Sequence, residues 1–389
     1  MRIPFILIPL AALCAQAPAP PTVISPDVHP DRTVSFRLYA PKASEAAFFG
    51  DWMKTGTSEK MTKGPDGVWS VTVGPVRPGI YIYHFLVDGM TIADPVNPRV
   101  KLRARTSASL VEVRGGEPEP WMPRDVPHGT VHIEWQHSKA LGGDARWIWT
   151  YTPPGYERSP DLRYPVLYLF HGSNDIAGGW ILAGNANFIL DNLIAEKKAE
   201  PMILVMPFGH AVPFGSPREL QAKNVSLYEG YVTQDVIPFI ESRYRCAPGK
   251  ANRAVAGLSM GGGQALHVGF THPEKFSAVC AFSAAVPTDF ATRFAAVLAK
   301  PAARPSTIWF ACGSEDSLFE RSEKLSALLK EQGVPHTWRP TPGNHTYTYW
   351  RQYLAEFAPL LFRPKLRSRF IATRTRCFST PRKASLQRL

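Results

Sequence analysis

The segment Gly257-Leu258-Ser259-Met260-Gly261 constrains the fold more than any other part of the chain. Ahead of it, Arg253-Ala254-Val255-Ala256 is a short apolar run of strand character. Behind it, residues 262–270 carry Ala265, Leu266 and Val268 in a helical stretch. A strand that passes directly into a helix must bend within one or two residues. Glycines on both sides of Ser259 permit that bend and a close strand–helix approach, and the bend holds the serine hydroxyl clear of the backbone. G-x-S-x-G alone is common in ordinary turns; the strand–turn–helix setting makes Ser259 a candidate nucleophile.

The rest of the chain supplies a sheet for that turn. Apolar runs at 166–170, 202–206, 254–256, 278–282 and 307–311 are separated in several places by helical stretches at 187–196, 232–244, 262–270 and 320–332. Buried strands alternating with helices predict a mostly parallel α/β sheet over residues 129–362, with an antiparallel pair at 131–136 and 145–151 ahead of it. Residues 22–115 differ. The runs 33–39, 68–73 and 80–87 alternate with period two, and the last ends in the turn pair Asp88-Gly89. With no helical pattern between them, they predict a small all-β, immunoglobulin-like sandwich. Residues 116–128 are rich in Pro and Gly and read as a linker. Trp52, Trp69 and Tyr81 read as core aromatics of the sandwich, with glycan stacking as the sharper alternative.

Length and composition bound the function. A chain of 389 residues with 44% hydrophobic and 20% charged content has material for two domains and a sizeable core. The net charge of +12 is misleading, because residues 363–389 hold nine Lys or Arg and no acid. The remainder is only weakly basic, which argues against nucleic acid as a partner, and the tail reads as a basic appendage without apolar periodicity. Residues 1–17 read as a secretory signal peptide: Arg2, a short apolar region, then Ala15-Gln16-Ala17 resembling a cleavage site, with cleavage after Cys14 or Ala15 the alternative because Pro18 follows. Its apolar region is too short to span a bilayer, and no other segment reaches spanning length. Cys14 raises a lipid-anchor reading, but Ala11-Ala12-Leu13 fits the attachment pattern poorly. Cys280 and Cys312 lie in apolar runs as small hydrophobes, and Cys246 and Cys377 have no close partner in sequence. No Cys or His spacing indicates a metal, and no cofactor is expected.

A serine at neutral pH needs a base, and the base needs an orienting acid. In α/β-hydrolases these follow in the order Ser, Asp or Glu, His. The strand 307–311 empties into Cys312-Gly313-Ser314-Glu315-Asp316-Ser317, making Asp316 the candidate acid and Glu315 its closest competitor. Asp289 reads as a turn or cap residue. His345, in the loop Pro342-Gly343-Asn344-His345-Thr346, is the candidate base, and His336 reads as an exposed strand residue. The oxyanion needs two N–H donors: the amide of Met260, and one from Gly172 or Ser173 in Tyr168-Leu169-Phe170-His171-Gly172-Ser173. His171 precedes the acid and reads as structural.

Several segments carry a resemblance: Phe170-His171-Gly172 with Trp180, the run 187–194, Asp235-Val236-Ile237-Pro238, Ala256 to Gly262, and Pro342-Gly343-Asn344-His345. Together they resemble the esterase-D-type α/β-hydrolases, the superfamily of feruloyl and acetyl-xylan esterases, enterochelin esterases and mycolyltransferases. Phe49-Gly50-Asp51-Trp52, Gly67-Val68-Trp69 and the Tyr81 to Pro95 stretch resemble the early-set domains related to glycogen-binding modules. The resemblance implies triad roles for Ser259, Asp316 and His345, and a pocket-lining role for Trp180. It also implies a secreted or periplasmic serine esterase that removes feruloyl or acetyl groups from plant polysaccharide. A siderophore esterase is the alternative within the class, and a non-catalytic glycan-binding protein the alternative outside it. The basic tail 363–389 has no counterpart in this pattern.

Overall fold

The computed structural model describes residues 19–54 and 56–363; the expected signal segment, Cys14, Cys377 and all but the first residue of the basic tail lie outside them. Eight strands form one sheet in the spatial order Thr130–His137, Ala145–Thr152, Ile203–Pro207, Val166–Phe170, Arg253–Leu258, Ala278–Phe282, Thr307–Gly313 and Thr337–Thr341. The first two pair antiparallel, Ala145–Thr152 pairs antiparallel with Ile203–Pro207, and every later pairing is parallel. The parallel strands are buried along nearly their whole length, as expected where helices cover both faces. Because they run in one direction, the loops leaving Val166–Phe170, Arg253–Leu258, Thr307–Gly313 and Thr337–Thr341 all emerge at the same edge of the sheet.

The expected helix at 232–244 is longer and interrupted. It runs as α-helix over Asn224–Tyr231, widens to a π-turn at Val232–Val236, and resumes at Ile237–Arg243. Pro238 lacks an N–H and its ring crowds the preceding turn, which accounts for the change of hydrogen-bond spacing beside it.

Residues 27–113 form two sheets. One has the order Asp27–Val28, Val34–Tyr39, Val68–Val73, Thr62–Lys63; the other runs Glu59–Lys60, Ala46–Gly50, Gly79–Val87, Ala108–Val113, Val100–Lys101. Phe36, Phe48, Tyr83 and Phe85 fill the space between them, with Phe36 stacked on Phe48 at 4.1 Å. Trp69 and Tyr81 are buried in this core, and Trp52 folds over Gly50 to meet Tyr81 edge-on. Tyr81 is packed against Trp52, and Trp69 is buried with the Lys63 ammonium over its ring.

The strand Gly79–Val87 is buried on both faces. Tyr81, Tyr83 and Phe85 point into the sandwich, whereas Ile80 and Ile82, with Ala108 and Leu110, join the core of the α/β domain beside Trp121, Trp180 and Trp350. The sandwich is therefore packed against the sheet domain as one body. Arg351 is fully buried across this seam, its Nε donating to the Ala183 carbonyl (2.8 Å) and Nη1 to the Ile80 carbonyl (2.9 Å). Residues 116–128, expected as a linker, are pinned at 120–122. Asn192 Nδ2 donates to the carbonyls of Pro120 and Met122 (2.8 Å each), Asn185 Nδ2 donates to that of Trp121 (3.0 Å), and the Trp121 ring is buried. Carbonyls outside regular secondary structure lack a ladder partner, and these amides take them up.

Candidate active site

Ser259 sits at φ 54°, ψ −118°, a strained conformation for a non-glycine residue, between the strand Arg253–Leu258 and the helix Met260–Thr271. Its N–H is held by the Phe282 carbonyl (2.8 Å), and its own carbonyl accepts from Gly263 and Ala285. The flanking glycines are sterically required. A Cβ on Gly257 would lie 2.3 Å from the Gly261 carbonyl oxygen, and one on Gly261 would lie 2.5 Å from that of His171. Strand, turn and helix pack backbone to backbone, which is what keeps the strained turn in place.

Two further loops meet it. Asp316 is buried and Glu315 exposed, which separates the two candidates. His345 Nδ1 donates to Asp316 Oδ2 (2.8 Å), and the Leu318 N–H donates to Asp316 Oδ1 (2.8 Å). Burial pushes the Asp316 carboxyl up. The His345 ring, the Leu318 N–H and the Ser283 hydroxyl outweigh burial and leave it below its ordinary value. The acid and base loops are tied together, Ser314 N–H to the Thr341 carbonyl (2.7 Å) and Glu315 N–H to that of Gly343 (2.9 Å). Gly343 sits at φ 107°, and a Cβ there would overlap the Tyr349 ring at 1.9 Å. Ser259 and His345 line one pocket of about 700 Å³ without a hydrogen bond between them; bonds of this kind often tighten only when substrate arrives.

The loop after Val166–Phe170 closes the other side of Ser259. A Cβ on Gly172 would be 2.8 Å from Leu258 Cδ1 and in contact with the Ser259 Cβ at 3.4 Å, so this glycine lets the loop pack against the strand end beside the serine. The Gly172 carbonyl accepts from His171 Nδ1 (2.8 Å) and from the Asp175 N–H (3.2 Å). In a planar trans peptide the N–H points opposite the C=O, so the Ser173 N–H is turned away from His171 and Asp175. His171 Nε2 accepts from the Gly209 N–H (2.7 Å), and burial pushes its pKa down to about 4, so the ring is neutral. It is a structural histidine, as expected. The Met260 N–H is the first of its helix and has no intrahelical partner.

One expected site residue, Trp180, lies elsewhere. Trp180 is fully buried in the core, its Nε1–H donating to the Phe170 carbonyl (3.0 Å) and its ring edge-on to Tyr347; it does not line the pocket. The short helix Gly179–Leu182 turns it inward beneath the loop. Trp350 and Tyr347 supply the aromatic wall, Trp350 meeting His345 edge-on at 4.8 Å and donating to Ser283 Oγ (2.9 Å). His336 is half-buried just ahead of its strand, stacked on Phe310, and its Nε2 meets Ser326 Oγ (2.9 Å). Asp289 flanks the helix Phe290–Arg293 and pairs with Arg293, a cap residue as expected.

The sequence reading missed what the sandwich adds. Phe49, Asp51, Ile82, Lys101 and Arg103 all line the pocket that holds Ser259. Lys101 is buried against Asp175, which also accepts from the Tyr347 hydroxyl (2.6 Å) and the Ile176 N–H (2.8 Å). Burial pushes the Lys101 ammonium down while Asp175 pulls it back. One domain thereby grips the loop of Gly172 and Ser173 on the other. Phe49 and Asp51 fall in the quoted Phe49-Gly50-Asp51-Trp52 and Ile82 in the strand run 80–87, but no pattern singles out Lys101 or Arg103. Among the described residues there is no cluster of His, Cys, Asp and Glu fit for a metal ion, and no helix long and apolar enough to cross a membrane.

A strained serine at the carboxyl edge of a mostly parallel sheet, with an acid-bound histidine beside it, defines the α/β-hydrolase fold, here joined to an all-β domain. The chain belongs to the Esterase family, whose profile matches residues 138–361. An endo-1,4-beta-xylanase/feruloyl esterase of Xylanibacter ruminicola is 30% identical over 351 residues, covering 87% of this chain and 46% of that protein. A solved ferulic acid esterase superposes with a TM-score of 0.52 at 28% identity, over 60% of this chain and 97% of its own. The enterochelin esterase of Shigella flexneri shares the fold across both domains, with a TM-score of 0.65 at 18% identity, over 84% of this chain and 93% of its own. The chain spans about half the length of the curated relatives it matches.

Proposed function

We propose that this chain is a serine carboxylic-ester hydrolase acting through an acyl-enzyme. The observation that carries the reading is His345, bound through Nδ1 to a buried Asp316 and lining the same pocket as the strained Ser259. In this scheme His345 Nε2 takes the Ser259 proton as Oγ attacks the ester carbonyl. The Met260 and Ser173 amides receive the oxyanion, with Gly172 giving the loop its close approach. Collapse expels the alcohol, which takes the proton from His345. Water activated by the same ring then releases the acid and frees Ser259. Asp316 remains ionised throughout and holds the imidazole orientation.

The substrate class is an ester of plant polysaccharide, feruloyl or acetyl. The named activity of the Xylanibacter relative supports it, as does the aromatic wall of Trp350 and Tyr347. The apolar segment within residues 1–17 supports export to the periplasm or beyond. The test is turnover of p-nitrophenyl acetate, methyl ferulate, acetylated xylan and a siderophore triester by wild type and Ser259→Ala. Hydrolysis that depends on Ser259 supports the reading, and the preferred ester assigns the substrate. Absence of Ser259-dependent turnover across the panel removes it.

A further inference from the structure

Of the charged side chains that the sandwich sends to the pocket, Lys101 is spoken for by Asp175. Asp51 and Arg103 are not. Both Asp51 carboxylate oxygens are shut off from bulk solvent without a hydrogen-bond partner, and Arg103 has no hydrogen bond or ion pair among the described residues. Unmet buried polar atoms of this kind are uncommon in folded proteins and costly. Burial pushes the Asp51 carboxyl up to about 7; the Ile82 backbone, Arg351 and Arg103 pull it back toward its ionised form, yet none stands within hydrogen-bond or ion-pair distance of it. Arg351 has given Nε and Nη1 to backbone carbonyls, and its buried Nη2 has no hydrogen-bond partner either. Asp51 is also close to the reacting groups: its carbonyl accepts from Asn344 Nδ2 (3.4 Å), the residue before His345.

We infer that Asp51 and Arg103 form a polar subsite for hydroxyl groups of the ester substrate, Asp51 accepting and Arg103 donating. This inference rests on the esterase reading. A guanidinium can only donate, whereas a carboxyl raised toward neutrality accepts when ionised and donates when protonated, so a group that both donates and accepts serves the pair in either state. A cationic group would oppose Arg103, and an anionic group would oppose Asp51 whenever it is ionised. Neutral hydroxyls meet both needs. They have two sources in a substrate of this class, the ring hydroxyl of an aromatic acyl group and the hydroxyls of a sugar alcohol. Either way the all-β domain sets specificity for chemistry carried out on the other domain.

The experiment measures kcat/KM on two matched pairs: methyl ferulate against methyl cinnamate, and a mono-acetylated methyl xyloside against cyclohexyl acetate. Wild type is compared with Asp51→Ala and Arg103→Met, each checked for folding by its thermal transition; if Asp51→Ala does not fold, Arg103→Met carries the test. The preference for the hydroxylated member is expected to fall about 10–100-fold in one pair, the span of one hydrogen bond to a charged group. The pair affected tells acyl from sugar hydroxyl. A preference unchanged within about twofold in both pairs overturns the inference, while Ser259-dependent turnover leaves the esterase reading standing. A wild type with no preference for either hydroxylated ester overturns it as well.

Discussion

Gly261→Ala sets two effects of known sign against each other. Residue 261 lies in the first turn of the helix Met260–Thr271, where alanine would ordinarily favour the helix by about 1 kcal/mol. The added Cβ, however, would stand 2.5 Å from the His171 carbonyl oxygen and 2.7 Å from the Phe170 carbonyl carbon and oxygen. These are backbone atoms at the end of a central strand, so no rotamer relieves the clash. The helix must withdraw by nearly an ångström to reach ordinary contact. Overpacking of this kind costs about 1–3 kcal/mol, so the net effect is destabilising despite the propensity gain. The withdrawal also carries Ser259 and the Met260 amide away from the loop of Gly172 and Ser173, and a misplacement of about 1 Å can cost about 100-fold in rate. Gly230→Ala is the contrast: it lies in the helix Asn224–Tyr231, and its nearest atom would be at 3.6 Å. The assay is kcat/KM on p-nitrophenyl acetate together with the thermal midpoint of each variant. We expect Gly261→Ala to lose activity steeply and melt earlier, and Gly230→Ala to match wild type or melt later. A Gly261→Ala enzyme with wild-type kinetics and midpoint would refute the backbone-contact reasoning.

Asp316→Asn keeps the shape of the acid and removes its charge; kcat on the preferred ester is expected to fall about 10³–10⁴-fold with KM little changed, and a loss under about tenfold would place the acid elsewhere. Lys101→Met leaves Asp175 buried without its cation and should destabilise by about 3–5 kcal/mol, read as the fall of the urea midpoint; an unmoved midpoint would mean the pair does not tie the domains. His171 is held neutral with its pKa pushed down by burial to about 4, so the unfolded chain binds the extra proton between there and about 6.5. Its contribution to stability is thus present at neutral pH and lost as pH falls toward 4. His171→Gln should flatten that acid loss by about 2 kcal/mol between pH 7 and pH 4.5 in urea titrations; an equal loss in both proteins would contradict it.

Much of the α/β domain can be read from local pattern. The runs at 166–170 and 278–282 are strands with the expected bounds, because a buried parallel strand is a continuous apolar run whose identity needs no distant information. The elbow is legible for the same reason, its glycines and serine being contiguous. Asp316 is separated from Glu315 only in three dimensions, where one side chain turns inward and its neighbour outward. Trp180 misleads because sequence cannot say which way an aromatic faces after a tight loop. The contribution of the sandwich to the pocket is the least legible part, since Asp51, Lys101 and Arg103 stand more than 150 positions from Ser259. One clue was present: Ile80 and Ile82 alternate with Tyr81 and Tyr83, so both faces of that strand are apolar and something must cover the outer one.

The central claim is that Ser259 is the nucleophile. Its most direct test is covalent labelling of the intact protein with a fluorophosphonate, followed by mass measurement and peptide mapping. The account predicts a single adduct on Ser259, absent in Ser259→Ala and formed far more slowly in His345→Ala. Persistent ester hydrolysis with no adduct, or with the adduct on another residue, would contradict it.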